Sequence, residues 1–320
     1  MLYLVRRVVH ALFLLLGVSL LSFALMQLAP GDFFEEMRLN PQISPQTITA
    51  LRARYGMDRP FFARYSGWLK SLLAGDFGFS LSYNSPVASL LKPRIRNTLI
   101  LTVTAILTAW LIAVPIGVWS ASHRGSLGDR VCSATTSALL AIPDLVLALA
   151  LLMLAVRTGH FPAGGMISVE FADLTPLGKI RDIASHLFLP LAALVLGTLP
   201  TLVRHVRAAI MEVTDAPFVR TAVAHGVSRR RILWRQVLPA AANPLISLFG
   251  LSLGTLLSAS LIIEVIMSWP GLGPLLLEAI LARDIYLVVG GVMISTLFLV
   301  AGNFLSDVML YAVDPRIRKD

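Results

Sequence analysis

Six long apolar runs constrain this chain more than any other feature, because each is about as long as a membrane-crossing helix. A helix of about 20 residues crosses a hydrocarbon core about 30 Å thick. Only 14% of the residues are charged and the mean hydropathy is +0.77, whereas about a quarter of an ordinary soluble domain is charged. The runs cover residues 8–29, 98–121, 131–156, 185–203, 240–267 and 286–313.

These runs predict an all-α polytopic membrane protein with six transmembrane helices. A segment in lipid must satisfy its own backbone hydrogen bonds, and the two-residue alternation of a barrel strand is absent from the runs. The first run follows Arg6 and Arg7, as in a signal peptide, but its apolar core of about 20 residues is too long for one. We therefore expect residues 1–29 to form a retained N-terminal transmembrane helix.

The distribution of lysine and arginine predicts the orientation of these helices, because basic residues concentrate in short cytoplasmic connections. Outside the longer segment 30–97, fourteen of them flank one side and four flank the other. The rich side holds the N-terminus, the C-terminal segment 314–320 and the connection from Arg204 to Arg235. We therefore expect both termini to be cytoplasmic.

The formal net charge of +9 raises the question of nucleic-acid binding. The basic residues are spread over several connections beside apolar runs, so topology and attraction to anionic lipid explain them, and we expect no nucleic-acid partner. The histidines lack metal-ligand spacing, which predicts no metal site. The single cysteine, Cys132, excludes an internal disulfide.

The segment 30–97, between the first two runs, is rich in turn-forming residues. Helical patterns cover residues 46–55 and 61–74, and its aromatic side chains predict a small core or a membrane-surface contact. The segment is too short and too often interrupted for an independent enzyme domain. We expect it to be an extracytoplasmic cap on a five-helix core that comprises residues 98–320.

A basic stretch, APFVRTAVAHGVSRRRILWRQVLP, covers residues 216–239 between the fourth and fifth runs. Thr214 and Asp215 are good N-cap residues, and a helical pattern then continues to His225. Gly226 predicts a residue in the left-handed conformation that ends this helix.

A second short helix is predicted from its N-cap, Ser228, to Pro239, which stops or kinks it. The predicted apolar faces consist of Phe218, Val219, Ala222 and Val223 in the first helix and Ile232, Leu233, Gln236 and Val237 in the second. Physical chemistry leaves two interpretations open: a loop whose arginines touch lipid headgroups, and an exposed knob that a protein partner binds.

The same stretch resembles the signature loop of ABC-importer permeases, which reads E-A-A, three residues, glycine, nine residues, then Ile-x-Leu-Pro. Here RTA at 220–222, Gly226 and QVLP at 236–239 stand in the corresponding places. The resemblance implies a coupling loop, residues 210–239, that docks on an ATPase. The residues that it implies for this site are Arg220, Thr221, Ala222, Ala224, His225, Gly226, Val227, Ser228, Arg229, Arg230, Leu238 and Pro239.

Other segments resemble the peptide and nickel branch of this family, in the same order along the chain. They include RNTLILTVTA at 96–105, EVIMSWPGLGPLLLEAILARD at 264–284 and DPRIR at 314–318. Two positions depart from the pattern: Phe33 replaces the proline that usually follows APGD, and Ile285-Tyr286 replaces Tyr-Pro. The resemblance covers essentially the whole chain.

This resemblance implies the transmembrane fold of type I ABC importers and a multi-pass location in the plasma (inner) membrane. The implied partners are a second permease subunit, two ABC ATPase subunits, an extracytoplasmic substrate-binding protein and membrane lipid. The chain itself would be a non-catalytic subunit that binds no cofactor, with ATP and magnesium in the partner subunits; its sequence contains no G-x-x-x-x-G-K-[ST] motif. Peptides are the implied cargo, with nickel complexes or other small solutes as alternatives.

Asp144 follows Pro143 near the middle of the third run, where a carboxylate costs a few kcal/mol if it faces lipid. It is therefore a candidate residue of the translocation path, and a hydrogen bond to backbone freed by the proline is the alternative. A secondary transporter or channel would need further buried carboxylates or an inverted repeat. An intramembrane enzyme would need a serine with a histidine and an acid at the same depth. We find neither pattern in the sequence.

Overall fold

The structure, a computed structural model, describes residues 2–28, 31, 33–38, 44–54, 56 and 58–313. The chain forms two structural units. The first comprises residues 1–98 and 270–298, and the second comprises residues 99–269 and 299–320. Most of the APGD turn and the whole DPRIR segment, with the basic C-terminal residues, lie outside the described residues.

The described chain is almost entirely helical. In chain order its elements are α1 (Leu2–Leu28), α2 (Phe33–Arg38), α3 (Pro45–Arg54), α4 (Phe61–Leu73), β1 (Phe79–Ser80), β2 (Ser85–Pro86), α5 (Val87–Ser122), α6 (Leu127–Leu140), α7 (Asp144–Thr158), a 3-10 turn (Val169–Asp173), α8 (Pro176–Thr214), α9 (Pro217–Ala224), α10 (Arg229–Ile232), a π-helical turn (Leu233–Val237), α11 (Leu238–Ala240), α12 (Ala242–Ile266), α13 (Leu272–Leu281) and α14 (Ile285–Val313).

Five of the described helices are long and apolar enough to cross a membrane: α1, α5, α8, α12 and α14. The predicted third span, 131–156, is wrong as a single helix, because α6 and α7 form a pair bent by 93°. The break falls at residues 141–143. Pro143 lacks an amide donor and disfavours helical backbone at the preceding residue. Six spans, as predicted, are present if the bent pair counts as one.

Two spanning helices extend well past their apolar runs. α5 begins at Val87, and α8 covers 39 residues. The side chain of Thr175 caps α8 by accepting a hydrogen bond from Gly178 N at 3.2 Å, and the helix continues through Pro190 and Pro200. At 1.5 Å per residue α8 is about 58 Å long, so at least one of its ends lies outside the hydrocarbon core.

The segment between α1 and α5 contains both predicted helices, which are α3 and α4. The sequence did not predict α2 or the antiparallel β1–β2 hairpin. The predicted aromatic core is confirmed in part: Trp68 is buried beside Phe23 of α1, and Phe61 and Tyr65 pack against them. Phe62 is 77% exposed and lies outside this core.

Asp284 fixes the hairpin in the first unit. Its Oδ2 accepts hydrogen bonds from Ser80 Oγ at 2.6 Å, from Ser82 Oγ at 2.9 Å and from Ser82 N at 3.1 Å. Tyr83 donates a hydrogen bond to Glu278. Burial, followed by this interaction with Glu278, raises the pKa of Tyr83 to about 12, so the phenol remains a donor further into the alkaline range than an ordinary tyrosine.

The core of the second unit lies around α8, which packs against α6, α7 and α12. Its buried side chains include Ala109 of α5, Leu194 of α8 and Leu256 of α12. Small residues bring α12 close to the C-terminal part of α14, where Ser306 Oγ donates to the carbonyl of Ile246 at 2.9 Å. This packing supports the connection from 215 to 241, where the basic stretch lies.

Candidate functional site

The basic stretch forms a compact knob, residues 216–240, between α8 and α12. The predicted N-caps, Thr214 and Asp215, are wrong: Thr214 is the last residue of α8, and Asp215 is its C-cap. The N-cap of α9 is Ala216, in extended conformation, and Pro217 is its first residue. Since proline needs no hydrogen-bond partner for an amide at this position, it begins the helix at low cost.

Gly226 ends α9 in the left-handed conformation, with φ 73°, which confirms its predicted geometry. Gly226 N donates to Val223 O at 3.0 Å, and Val227 N donates to Ala222 O at 3.1 Å. These two bonds are those of a Schellman motif, which satisfies carbonyls left over at a helix end. Val227 also packs in the same apolar cluster as Ala222. The turn therefore has a defined shape that its own sequence encodes.

The second half of the knob is an uninterrupted helical run, as the sequence predicts, but it contains a π-helical turn that the sequence did not predict. Ser228 is the N-cap of α10, as expected, although its side chain makes no capping bond. α10 is one turn long and continues into the π-helical turn and then α11. Pro239 lies inside α11 and does not end the helix, which ends at Ala240 before a turn at Ala241.

The knob buries four apolar side chains against the ends of α5 and α8: Val219, Ala222, Ile232 and Val237. Burial of a valine or isoleucine side chain contributes about 1.5–3 kcal/mol, so these contacts hold the knob firmly. Two residues of the predicted apolar face of α9 are wrong, because Phe218 is 49% exposed and Val223 is 57% exposed. Positions 218 and 223 lie about 140° apart around the helix axis, so they are at the two edges of the face whose centre is buried.

The exposed surface of the knob is basic with a few large apolar side chains. Trp234 is 63% exposed, and Phe218 and Val223 of α9 are exposed as well. Most of the site residues named from the resemblance are exposed, namely Arg220, Thr221, Ala224, His225, Gly226, Ser228, Arg229, Arg230 and Pro239. The other three, Ala222, Val227 and Leu238, contribute to the packing of the knob.

A buried ion pair lies near the knob in the second unit and was missed by the sequence analysis. Arg207 of α8 binds Asp129 of α6 through Nε–Oδ1 at 2.8 Å and Nη2–Oδ2 at 2.9 Å. Asp129 also accepts from Ser120 Oγ at 2.5 Å and from Gly125 N at 2.9 Å. The carboxylate thus joins the end of α5, the start of α6 and the last third of α8. No local signal could have found a pair 78 residues apart.

The sequence placed Asp144 near the middle of a continuous span, and this prediction is wrong. Asp144 is the exposed first residue of α7. Its carboxylate lies directly against Gly197 of α8, where an added Cβ would be 2.5 Å from Asp144 Oδ1. A carboxylate at a helix N-terminus interacts favourably with the helix dipole. The structure thus places Asp144 against α8. It belongs to α7 and is not part of the knob.

Among the residues that the structure describes, no three histidine, cysteine or carboxylate side chains form a group that could hold a metal ion. The arginines of the knob present positive charge but no set of acidic ligands.

Two family models match the chain. The first, described as "Binding-protein-dependent transport system inner membrane component", matches residues 113–319. The second, described as "Binding-prot-dependent transport system membrane comp, N-term", matches residues 1–102. Together they cover nearly the whole chain.

Several curated proteins are similar over their full length. The "Oligopeptide transport system permease protein AppB" of Bacillus subtilis (strain 168) is 34% identical over 319 residues, which cover 98% of each chain. The "Dipeptide transport system permease protein DppB" of Escherichia coli (strain K12) is 33% identical and covers 99% of this chain and 98% of its own. The "Di/tripeptide transport system permease protein DppB" of Pseudomonas aeruginosa (strain UCBPP-PA14) is 34% identical over 94% of each.

The fold is similar to that of a solved transporter. An inward-facing structure of the MetNI methionine ABC transporter matches with a TM-score of 0.57 and 19% sequence identity. The match covers 71% of this chain and 97% of that chain. It confirms the predicted architecture, the transmembrane fold of an ABC importer.

Proposed function

Because the chain belongs to the family of inner membrane components of binding-protein-dependent transport systems, we propose that it forms half of the translocation pathway of an ATP-driven peptide importer. The chain is a multi-pass permease component. Its cargo is inferred from relatives that are named for oligopeptides, dipeptides and di/tripeptides.

The partners in this proposal are a second permease subunit, two ABC ATPase subunits and an extracytoplasmic substrate-binding protein. ATP and magnesium bind to the ATPases, and this chain contributes no catalytic group. The knob docks on one ATPase, so closure of the two ATPases moves the paired permease subunits between two states. Such coupling requires contacts at the knob that differ between those states.

The single observation that carries the docking role is the orientation of the knob's apolar face. A helix that rests on lipid turns its apolar face outward into the membrane surface. Here Val219, Ala222 and Ile232 are buried inside the protein, and the outward face carries arginines with Phe218 and Trp234. Exposed aromatic and arginine side chains are typical of the centre of a protein–protein interface.

The test is import by the reconstituted complex. The proteoliposomes contain this chain, the second permease subunit and the ATPases. They should take up labelled tri-alanine only when two conditions are met: ATP is on the side of the membrane that the ATPases face, and the binding protein, with tri-alanine bound, is on the other side. Uptake driven by an ion gradient without ATP would instead identify a secondary transporter.

Orientation is part of the same proposal: the knob and both termini face the cytoplasm. In a Cys132→Ser background, Ser228→Cys should react with a membrane-impermeant maleimide only from the cytoplasmic side. Ser66→Cys, on the exposed face of α4, should react only from the other side. Reaction of both cysteines from one side would contradict this topology.

A further inference from the structure

A cleft of about 650 Å³ lies between α6 and α8 in the second unit. This volume is within the usual range for small-molecule sites, about 300–1,000 Å³. The side chains that matter for its chemistry are Cys132, Ser133, Ser137, Thr201, Arg204 and His205. A basic and hydroxyl-rich lining of this kind suits an oxyanion.

Two arginines line the cleft, and their situations differ. The guanidinium of Arg207 is held by Asp129 in two hydrogen bonds. Arg204 is exposed, and within the described part of the chain it makes neither a hydrogen bond nor an ion pair. Arg204 is therefore the cation available to a ligand.

The face of α8 that carries Arg204 also meets Asp144. Gly197, Thr201 and Arg204 lie on one face, at helical spacings of four and seven residues. Asp144 contacts this face at Gly197, as described above. Seven residues of helix rise about 10 Å, and an extended tripeptide is also about 10 Å long. The point at which Asp144 contacts α8 and the backbone of Arg204 are thus separated along the helix by about the length of a tripeptide.

We propose that this cleft binds the terminal carboxylate of the transported peptide through Arg204, and that the ammonium end of the peptide extends beyond the lining of the cleft toward Asp144. The assignment rests on the proposed function, because it takes the cargo to be a peptide. Ser133, Ser137 and Thr201 line the same cleft as Arg204 and carry hydroxyl groups that can donate to a carboxylate. Charge-assisted hydrogen bonds to a guanidinium make such a site selective for a free carboxylate over an amide.

Cys132, the only cysteine in the chain, lines the cleft and provides a probe that needs no mutation. The assembled complex, without binding protein, is alkylated with isotope-coded maleimide, and the modified Cys132 peptide is quantified by mass spectrometry. Tri-alanine should slow alkylation about tenfold at a concentration where tri-alanine amide has less than about a twofold effect, because only the acid pairs with Arg204.

Arg204→Gln should abolish the difference between acid and amide. Arg157→Gln, a matched substitution on the exposed last turn of α7, should retain it. N-acetyl-tri-alanine, which lacks the ammonium group, should protect Cys132 from alkylation less than tri-alanine does in the native chain. Asp144→Asn should remove this difference between the acetylated and the free peptide. Rates are compared within each variant, so an altered intrinsic reactivity of Cys132 cancels, and co-purification of the partner subunits confirms assembly.

Equal protection by acid and amide in the native chain would overturn the proposal, and this comparison does not depend on the folding of any variant. Protection by phosphatidylglycerol nanodiscs alone, relative to phosphatidylcholine, would identify the cleft as a lipid-headgroup site and also overturn it. ATP-driven uptake by the same preparation separates the two hypotheses. Uptake of tri-alanine with equal protection of Cys132 by acid and amide would refute only peptide binding in the cleft. Absence of uptake would refute the peptide-importer function.

Discussion

The knob and the Asp129–Arg207 pair beside the α6–α8 cleft lie in the same unit but differ in how their arginines are exposed. The knob exposes its arginines and is held by buried apolar side chains and a backbone turn. At the cleft, Arg207 is turned inward to a carboxylate that is 5% exposed. The proposed function gives the exposed arginines of the knob a partner surface to bind, whereas the ion pair joins helices within the protein. Replacing single residues should separate these two designs.

The largest effect is expected at the ion pair. Arg207→Leu would leave the buried Asp129 without its cation, which costs about 3–5 kcal/mol in comparable buried pairs. The melting temperature of the purified complex should fall markedly. Arg204→Leu, the same substitution one turn earlier on α8, should change it little, because Arg204 has no ion pair within the described chain.

The double variant Asp129→Leu with Arg207→Leu gives the sharper comparison. Removing both charges avoids an uncompensated buried carboxylate, so much of the lost stability should return. If Arg207→Leu melts at the same temperature as Arg204→Leu, the ion pair does not join these helices in the way the distances indicate.

An intermediate effect is expected at Gly226, where the backbone rather than a charge determines the shape of the knob. A Cβ at this position would have no heavy atom within 4 Å, so a substitution acts through the left-handed conformation alone. Gly226→Leu should cost about 1–2 kcal/mol locally and displace the turn. Uptake and binding-protein-stimulated ATP hydrolysis should fall together, whereas basal hydrolysis should persist.

Gly226→Asn is the matched control, because asparagine adopts the left-handed conformation more readily than other residues with a side chain. It should retain more of both activities than Gly226→Leu. Normal import by an assembled Gly226→Leu complex would show that the knob does not transmit the signal from the ATPases.

The ease of predicting the two regions from the sequence also differs. The left-handed conformation of Gly226 and the N-cap of α10 at Ser228 depend on neighbouring residues, so local patterns predicted them. The pair of Asp129 and Arg207 depends on how α6 and α8 pack, and the sequence showed Arg207 only as one more basic residue. The break at Pro143 is intermediate: the proline indicated an interruption, but a continuous apolar run concealed a bend of 93°.

The smallest effect is expected at Arg124 and Asp215, whose side chains pair at 3.3 Å beside the knob and are each 62% exposed. Exposed ion pairs contribute about 0–1 kcal/mol because water and salt screen them. Arg124→Ala and Asp215→Ala should each leave the melting temperature nearly unchanged, with no recovery in the double variant. A coupling free energy well above about 1 kcal/mol would place this contact with the buried pair instead.

The separation of buried and exposed faces in the knob has a consequence for how such a protein can diverge. Side chains that hold the knob in shape, such as Val219 and Ile232, are not those that a partner can touch. If the knob docks on an ATPase as proposed, substitutions on the outer face, at Phe218, Arg230 or Trp234, would change which ATPase is recognised without disturbing the fold beneath them. Duplicated transporters would then acquire separate motors through a few surface changes.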